Sequence, residues 1–90
     1  MIIARRALFE GRVQGVGFRY TVRQIANSYE VTGWVRNLPD GRVELEAIGE
    51  LSEVEAFLKG IQNGPLGSNI RNTSVEEVTP TAGLKGFSIR

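Results

Sequence analysis

The spacing of apolar residues alternates between the strand period of two and the helix period of about 3.6, and this alternation restricts the fold more than any other feature of the chain. Residues 2–13 alternate as a strand. A helical stripe of apolar residues then begins at Phe18 and reaches Tyr29. Two further strands are predicted over residues 31–37 and 42–48, and a Pro-Asp-Gly turn between them predicts a hairpin.

The second half of the chain repeats the order helix and then strand. Ser52 to Glu55 match the S-x-x-E capping box, which predicts that a second helix starts at Ser52. Gly64-Pro65 predicts the end of this helix. Residues 66–72 are predicted to be a loop, residues 73–78 a fourth strand and residues 86–90 a short final strand.

The resulting order, β-α-β-β-α-β followed by a terminal strand, is typical of the ferredoxin-like α+β sandwich. Right-handed crossovers place both helices on one face of an antiparallel sheet. At 90 residues the chain has room for one core, so we expect one domain over residues 1–90.

The composition excludes several kinds of chemistry. The chain has no cysteine and no histidine, which removes thiol and Ser-His nucleophiles, thiolate metal sites and the commonest general base. A net charge of +1 argues against a nucleic-acid partner. No apolar run approaches the roughly 20 residues that cross a membrane. Two arginines lie inside the apolar run at the start of the chain, an order that does not match a secretory signal. We therefore expect a cytoplasmic monomer without a membrane partner.

The segment from Gly11 to Arg19 joins the first predicted strand to the first helix through a glycine-rich turn. The first turn of a helix has unpaired main-chain N–H groups and the positive end of the helix dipole. Gly15 and Gly17 allow the main chain to approach a ligand and to direct successive N–H groups to one point. Arg19 adds a permanently charged fork that matches two phosphate oxygens. These features favour a tetrahedral oxyanion as ligand.

The residues of this segment alone leave another interpretation open. The segment lacks the Gly-Lys-Ser/Thr of a Walker A loop and the third glycine of a dinucleotide fingerprint. An ordinary strand-to-helix turn with a solvated arginine explains it equally well, because such turns often contain glycine.

Asn37 ends the second predicted strand, immediately before the hairpin turn. In a β-α-β unit the strands before and after the helix run parallel, so their carboxyl ends lie at the same edge of the sheet. We therefore expect Asn37 near the glycine-rich loop, where its amide can hold a water against a bound phosphate. Asparagine is also a common turn residue, which is the simpler explanation of Asn37 taken alone.

Five segments spread over most of the chain resemble the acylphosphatase family. They read Gly-x-Val-Gln-Gly-Val-x-Phe-Arg at 11–19, Gly-Trp-Val-Arg-Asn at 33–37, Asp-Gly-x-Val at 40–43, Gly-Pro at 64–65 and Phe-x-Ile-Arg at 87–90. The resemblance implies the same ferredoxin-like fold and the hydrolysis of an acyl phosphate to a carboxylate and inorganic phosphate. It also implies that no metal or cofactor is needed and that inorganic phosphate, as product, inhibits the reaction.

The resemblance also assigns roles to residues by position. It implies that Arg19 binds the phosphate of the substrate and that Asn37 orients the attacking water. Main-chain N–H groups are expected to form the rest of the phosphate cradle, and they belong to Gln14, Gly15, Val16, Gly17 and Phe18 together with Arg19.

Alternative functions stay open at this point. The strongest is a non-catalytic module on the same fold that binds phosphate or another small anion. An RNA-recognition domain has the same order of elements but stacks bases on aromatic side chains, and residues 42–48 contain none. Glu44 and Glu46 share one strand face as a candidate carboxylate pair, although a solvated face is the preferred interpretation. The chain departs from the pattern of the acylphosphatase family at Tyr29-Glu30 and at Leu66-Gly67, and both positions lie outside the glycine-rich loop.

Overall fold

The computed structural model describes all 90 residues, Met1 to Arg90, as five strands and two α-helices. The elements are β1 (Ile2–Gly11), α1 (Phe18–Ala26), β2 (Val31–Asn37), β3 (Val43–Glu50), α2 (Leu51–Gln62), β4 (Ile70–Val78) and β5 (Phe87–Ile89). The predicted order of elements and the ferredoxin-like α+β class are confirmed. None of the helices is long and apolar enough to cross a membrane.

The strands form one sheet in the order β4-β1-β3-β2-β5. The four longer strands pair antiparallel, whereas β5 runs parallel to β2, so the complete sheet is mixed and not purely antiparallel. Because β1 and β2 both run antiparallel to the β3 strand between them, they are parallel to each other. Their carboxyl ends therefore lie at the same edge of the sheet, as predicted.

The hydrophobic core lies between the two helices and one face of the sheet. Each strand alternates its side chains, so every second residue of the central strands faces the helices. Phe9 of β1 packs edge-on against Phe18 at the start of α1, with ring centroids 5.4 Å apart. Phe57 of α2 packs in the same way against Phe87 of β5, also at 5.4 Å. These aromatic contacts fix both helices, and with them the loop between β1 and α1.

The loop begins earlier than predicted, because β1 ends at Gly11 and not at residue 13. The pairing of β1 with β4 shifts between Glu10 and Gly11, as at a β-bulge. Gly11 has a φ of 131°, and a Cβ there would lie 2.3 Å from the carbonyl oxygen of Asn69. The close approach of these two segments requires glycine. The predicted loop over 66–72 is also shorter, because β4 already begins at Ile70.

The predicted capping box at Ser52 is wrong. Helix α2 begins at Leu51, and its N-cap residue Glu50 makes no capping hydrogen bond through its side chain. The Leu51 N–H donates instead to the main-chain carbonyl of Met1, at 3.2 Å. Strand pairing brings this acceptor into place, since Ile2 lies opposite Glu50 in the β1–β3 ladder.

The prediction of a solvated face at Glu44 and Glu46 is also wrong, because both residues are buried. One carboxylate oxygen of Glu44 accepts a hydrogen bond from Arg36 Nε at 2.7 Å, and the other lies 3.4 Å from an Arg6 nitrogen. Glu46 accepts from the Thr81 N–H at 3.2 Å. Because β4 and β5 lie at opposite edges, the segment that joins them must cross the sheet, and this bond places it over the face opposite the helices.

Candidate active site

The loop between β1 and α1 is held in its shape by two glycines. Gly15 has a φ of 76° and Gly17 a φ of 79°, and both values lie in the left-handed region that favours glycine. A Cβ at either position would meet nothing within 4 Å. These two glycines are therefore required by the conformation of the main chain and not by a lack of space.

The main-chain N–H groups of the loop from Gln14 onward have no partner within the protein. Those of Gln14, Gly15, Val16 and Gly17 donate to no main-chain or side-chain acceptor. The first helical hydrogen bond of α1 runs from the Thr21 N–H to the Gly17 carbonyl, so the preceding N–H groups of the first turn are also free. The helix has no side-chain cap and no acidic residue in its first turn. Its positive end is thus available to an anion.

The side chain of Arg19 lies beside these N–H groups. It forms no ion pair with a carboxylate, so its charge is not neutralised by the protein. One terminal nitrogen donates to the main-chain carbonyl of Arg90 at 3.0 Å. Arg90 is itself held by a hydrogen bond from its N–H to the Val35 carbonyl, at 2.8 Å. The segment after β5 therefore positions the guanidinium while its remaining donors stay free.

The Arg90 side chain adds a second anchor on the other face of the sheet. Its guanidinium carbon lies 4.9 Å from the ring centroid of Trp34, and that of Arg36 lies 5.3 Å from the same ring. Trp34 is buried beneath them. Stacking of this kind contributes about 0.5–1 kcal/mol at exposed sites and holds the end of β5 against β2.

Asn37 lies at the end of β2, facing the same cavity as the loop. Its Oδ1 atom is buried and has no hydrogen-bond partner within the protein. A buried acceptor left without a partner costs about 1–3 kcal/mol, so such atoms normally bind a water or a ligand. Because Asn37 lines the cavity, a group bound there can supply the missing partner.

Most of the residues that carry these groups line one cavity of about 180 Å³. Its lining residues come from the loop, from α1, from β2 and from β5, and they are Val13, Gly15, Gly17, Phe18, Arg19, Tyr20, Asn37 and Ile89. A shallower groove of about 620 Å³ lies between α2 and β4, but none of the free loop N–H groups reaches it. The cavity at the loop is therefore the candidate active site.

The structure brings together five of the seven residues singled out from the sequence. Gly15, Gly17, Phe18, Arg19 and Asn37 line the cavity. Phe18 does so from the core, since its side chain is buried against Phe9.

The side chains of Gln14 and Val16 lie outside the cavity. Gln14 turns toward the β2–β3 hairpin, where its Nε2 atom donates to the carbonyls of Leu38 at 2.8 Å and Arg42 at 2.9 Å. Val16 is exposed at the surface of the loop. Both residues can still contribute their main-chain N–H groups.

Sequence reasoning missed four contributors to the site. Val13, Tyr20 and Ile89 line the cavity, and Arg90 fixes Arg19 through its carbonyl. Tyr20 follows Arg19 in the first turn of the helix, but this position alone does not distinguish it from a residue on a solvated helix face. Ile89 and Arg90 reach the site only because β5 pairs with β2, and that pairing joins residues far apart in the chain.

The arrangement is suited to a tetrahedral oxyanion. Free N–H groups at a helix start, an unpaired guanidinium and an unpaired amide oxygen surround one small cavity, and each of these groups binds oxyanions or water without a metal. No group of three or more acidic side chains that could hold a metal ion is present. Fold and site together define a ferredoxin-like α+β domain with an anion-binding loop between its first strand and helix.

Comparison with known proteins identifies the family. The acylphosphatase family model matches residues 5–89. The chain is 45% identical to an acylphosphatase of Bacillus licheniformis over 93% of both chains, and 46% identical to one of Methanospirillum hungatei over 92% of this chain and 91% of that one. The crystal structure of the Bacillus subtilis acylphosphatase superimposes with a TM-score of 0.88 at 40% identity, covering 100% of this chain and 99% of the other. The chain belongs to the acylphosphatase family.

Proposed function

We propose that this protein is an acylphosphatase that hydrolyses the mixed anhydride of a carboxylic acid and phosphoric acid without a metal ion. The observation that carries the proposal is that one cavity is lined by loop residues with unpaired N–H groups, by Arg19 and by Asn37, whose Oδ1 atom has no partner. The membership of the chain in the acylphosphatase family supports the same reaction.

The loop and Arg19 bind the phosphoryl group in this proposal. Phosphoryl transfer passes through a loose transition state in which charge is spread over three equatorial oxygens. We propose that the left-handed Gly15 and Gly17 turn the N–H groups from Gln14 to Arg19 toward these oxygens, so that they need little rearrangement to stabilise that charge. Removing one such donor typically lowers the rate by about 10²–10³. Arg19 contributes the only full positive charge among the residues that line the cavity.

Asn37 positions the attacking water. Its unpaired Oδ1 atom accepts a hydrogen bond from the water and so directs a lone pair of the water oxygen at phosphorus. The new bond forms between the water oxygen and phosphorus, and the bond between phosphorus and the acyl oxygen breaks. The acyl oxygen leaves with the bonding electron pair as a carboxylate. The carboxylate is a good leaving group, so no general acid is required.

The proton of the water goes to the phosphoryl oxygens of the substrate. With one water, a dianionic acyl phosphate gives a carboxylate and dihydrogen phosphate, so atoms and charge balance. Because the chain contains no histidine and no cysteine, it has no side chain that ordinarily titrates near neutral pH to take this proton. The substrate therefore acts as its own base, while the protein positions the water and stabilises the charge on the phosphoryl oxygens.

The proposal is tested by hydrolysis of benzoyl phosphate with excess chelator. We expect turnover by the parent protein, competitive inhibition by inorganic phosphate, and at least about a hundredfold loss of kcat/KM in Arg19→Ala and Asn37→Ala. Arg23→Ala and Asn72→Ala are matched controls, because both residues are exposed and neither lines the cavity. The controls should keep activity within about twofold of the parent.

Three outcomes would contradict the proposal. Turnover that depends on an added divalent metal would remove the metal-independent mechanism, and full activity in Arg19→Ala would remove the role of the guanidinium. A parent protein that binds phosphate saturably without turning over benzoyl phosphate would instead be a non-catalytic anion-binding module. That alternative uses the same cavity and the same donors.

A further inference from the structure

Large apolar side chains are exposed at only a few places, and half of them surround the candidate active site. The six exposed ones are Met1, Ile2, Val16, Tyr20, Val75 and Ile89. Val16 belongs to the loop, and Tyr20 and Ile89 line the cavity itself. Tyr20 is 60% exposed and Ile89 is 36% exposed. We call the side chains of Tyr20 and Ile89 the apolar rim.

The apolar rim does not contribute to the hydrophobic core. Neither Tyr20 nor Ile89 belongs to the core or to the partly buried residues packed against it. Tyr20 also makes no side-chain hydrogen bond. A tyrosine ring and an isoleucine that remain in contact with water beside a cavity are available to a ligand, because covering them removes apolar surface from solvent.

The cavity therefore has two chemically different sides. The free N–H groups, Arg19 and Asn37 are polar and suited to the phosphoryl group. Val13 and Phe18 also line the cavity but are almost fully buried, so they offer little surface to a ligand. The apolar rim is the remaining exposed side of the lining. Once the phosphoryl group occupies the polar donors, the acyl group of the substrate must leave the cavity past this rim.

We infer that Tyr20 and Ile89 form the acyl-group subsite and select acyl phosphates whose acyl group is apolar, with aromatic acyl groups favoured. This inference rests on the proposed function. An aromatic acyl group buries apolar surface against Ile89 and forms an offset or edge-on contact with the Tyr20 ring. A charged acyl group gains neither contact, and its charge would lose water against two apolar side chains.

The experiment compares benzoyl phosphate with acetyl phosphate. Each variant is measured against the parent on the same substrate, so the different intrinsic reactivities of the two anhydrides cancel. We expect Tyr20→Ala to lower kcat/KM for benzoyl phosphate about tenfold, the factor given by roughly 40 Å² of apolar contact and one aromatic pair. The loss for acetyl phosphate should stay below about threefold, and Ki for inorganic phosphate should rise by no more than that.

Three further variants sharpen this comparison. Tyr20→Phe should keep the preference for benzoyl phosphate, because the ring and not the hydroxyl makes the contact. Ile89→Ala should lose activity mainly on benzoyl phosphate. Val75→Ala is the matched control, since Val75 is 46% exposed on β4 and does not line the cavity. It should change neither substrate by more than about twofold.

The outcomes separate this inference from the proposed function. Equal losses on both substrates in Tyr20→Ala, no loss on either, or a loss in Tyr20→Phe as large as in Tyr20→Ala would each overturn the acyl-group subsite while the hydrolase function stands. A parent protein that hydrolyses neither acyl phosphate would overturn both. A loss confined to benzoyl phosphate supports the subsite.

Discussion

Substitution of Gly17 by alanine separates the conformation of the loop from the stability of the fold. Gly17 has φ 79° and ψ 21°, and a Cβ there meets no atom within 4 Å. The cost of alanine is therefore conformational, about 1–2 kcal/mol for a left-handed residue with a Cβ. Gly83 is a matched control, because it has the same φ of 79°, has equally open surroundings and does not line the cavity.

The two variants should differ in activity and not in stability. Urea unfolding is expected to show a loss of about 1–2 kcal/mol in Gly17→Ala and in Gly83→Ala alike, with a fall in Tm of about 4–8 °C for each 1 kcal/mol. In Gly17→Ala the strain is relieved by rotation of the loop, which moves the N–H groups away from the phosphoryl oxygens. We expect kcat/KM for benzoyl phosphate to fall at least about tenfold in this variant and to stay within about twofold in Gly83→Ala.

A Gly17→Ala protein that loses the expected stability and keeps the activity of the parent would contradict this role of the loop. The left-handed residue would then be a requirement of the turn alone, and the directed N–H groups would have no role in binding phosphate. Equal losses of activity in both variants would point to a general effect of destabilisation.

Three further predictions concern the pH profile and the surroundings of the loop. The kcat of the parent should vary little between about pH 5 and 7.5, and a bell-shaped profile with a limb near pH 6.5 would contradict substrate-assisted proton transfer. The main-chain N–H of Arg42 is the main cause that lowers the pKa of Asp40 below its ordinary value of 3.8. Because the pKa of Asp40 is lower in the folded state, its ionised carboxylate stabilises the fold above pH 3.8, and this stabilisation is lost as the pH falls through the folded-state pKa. At pH 7 Asp40→Asn should therefore have a lower Tm than the parent, and the difference should become smaller in acid. Gln14→Ala leaves the Leu38 and Arg42 carbonyls without their side-chain donor, and we expect a loss of about 1–2 kcal/mol in urea unfolding together with a higher Ki for phosphate.

The order of the elements was predictable from the sequence because each element carries its own apolar period. The ends of the elements were not, because long-range contacts set them. Leu51 begins α2 through the carbonyl of Met1, and no local pattern around Ser52 shows that partner. Glu44 illustrates the same limit. Its alternation with Val43 and Leu45 predicts the correct face of the sheet, but it does not predict the arginines that pair with Glu44 there.

The candidate site likewise contains some residues that were predictable from the sequence and some that were not. The loop and Asn37 were predictable, because glycines before a helix and a polar residue at the end of a parallel strand are local signals with a known geometry. Tyr20 lies next to Arg19 but was not predictable, because nothing in the sequence distinguishes an exposed tyrosine beside a cavity from one on a solvated helix face. Ile89 and Arg90 were not predictable, because only the pairing of β5 with β2 brings them to the site.

Phosphate binding by the free N–H groups of the loop is the central feature of the proposed mechanism. A titration of ¹⁵N-labelled protein with inorganic phosphate, followed by amide chemical shifts, measures this residue by residue. We expect saturable shifts of the amides of residues 14–19, no shift at Gly83, and loss of saturation in Arg19→Ala. Unchanged shifts over residues 14–19 at phosphate concentrations that inhibit turnover would contradict the central claim.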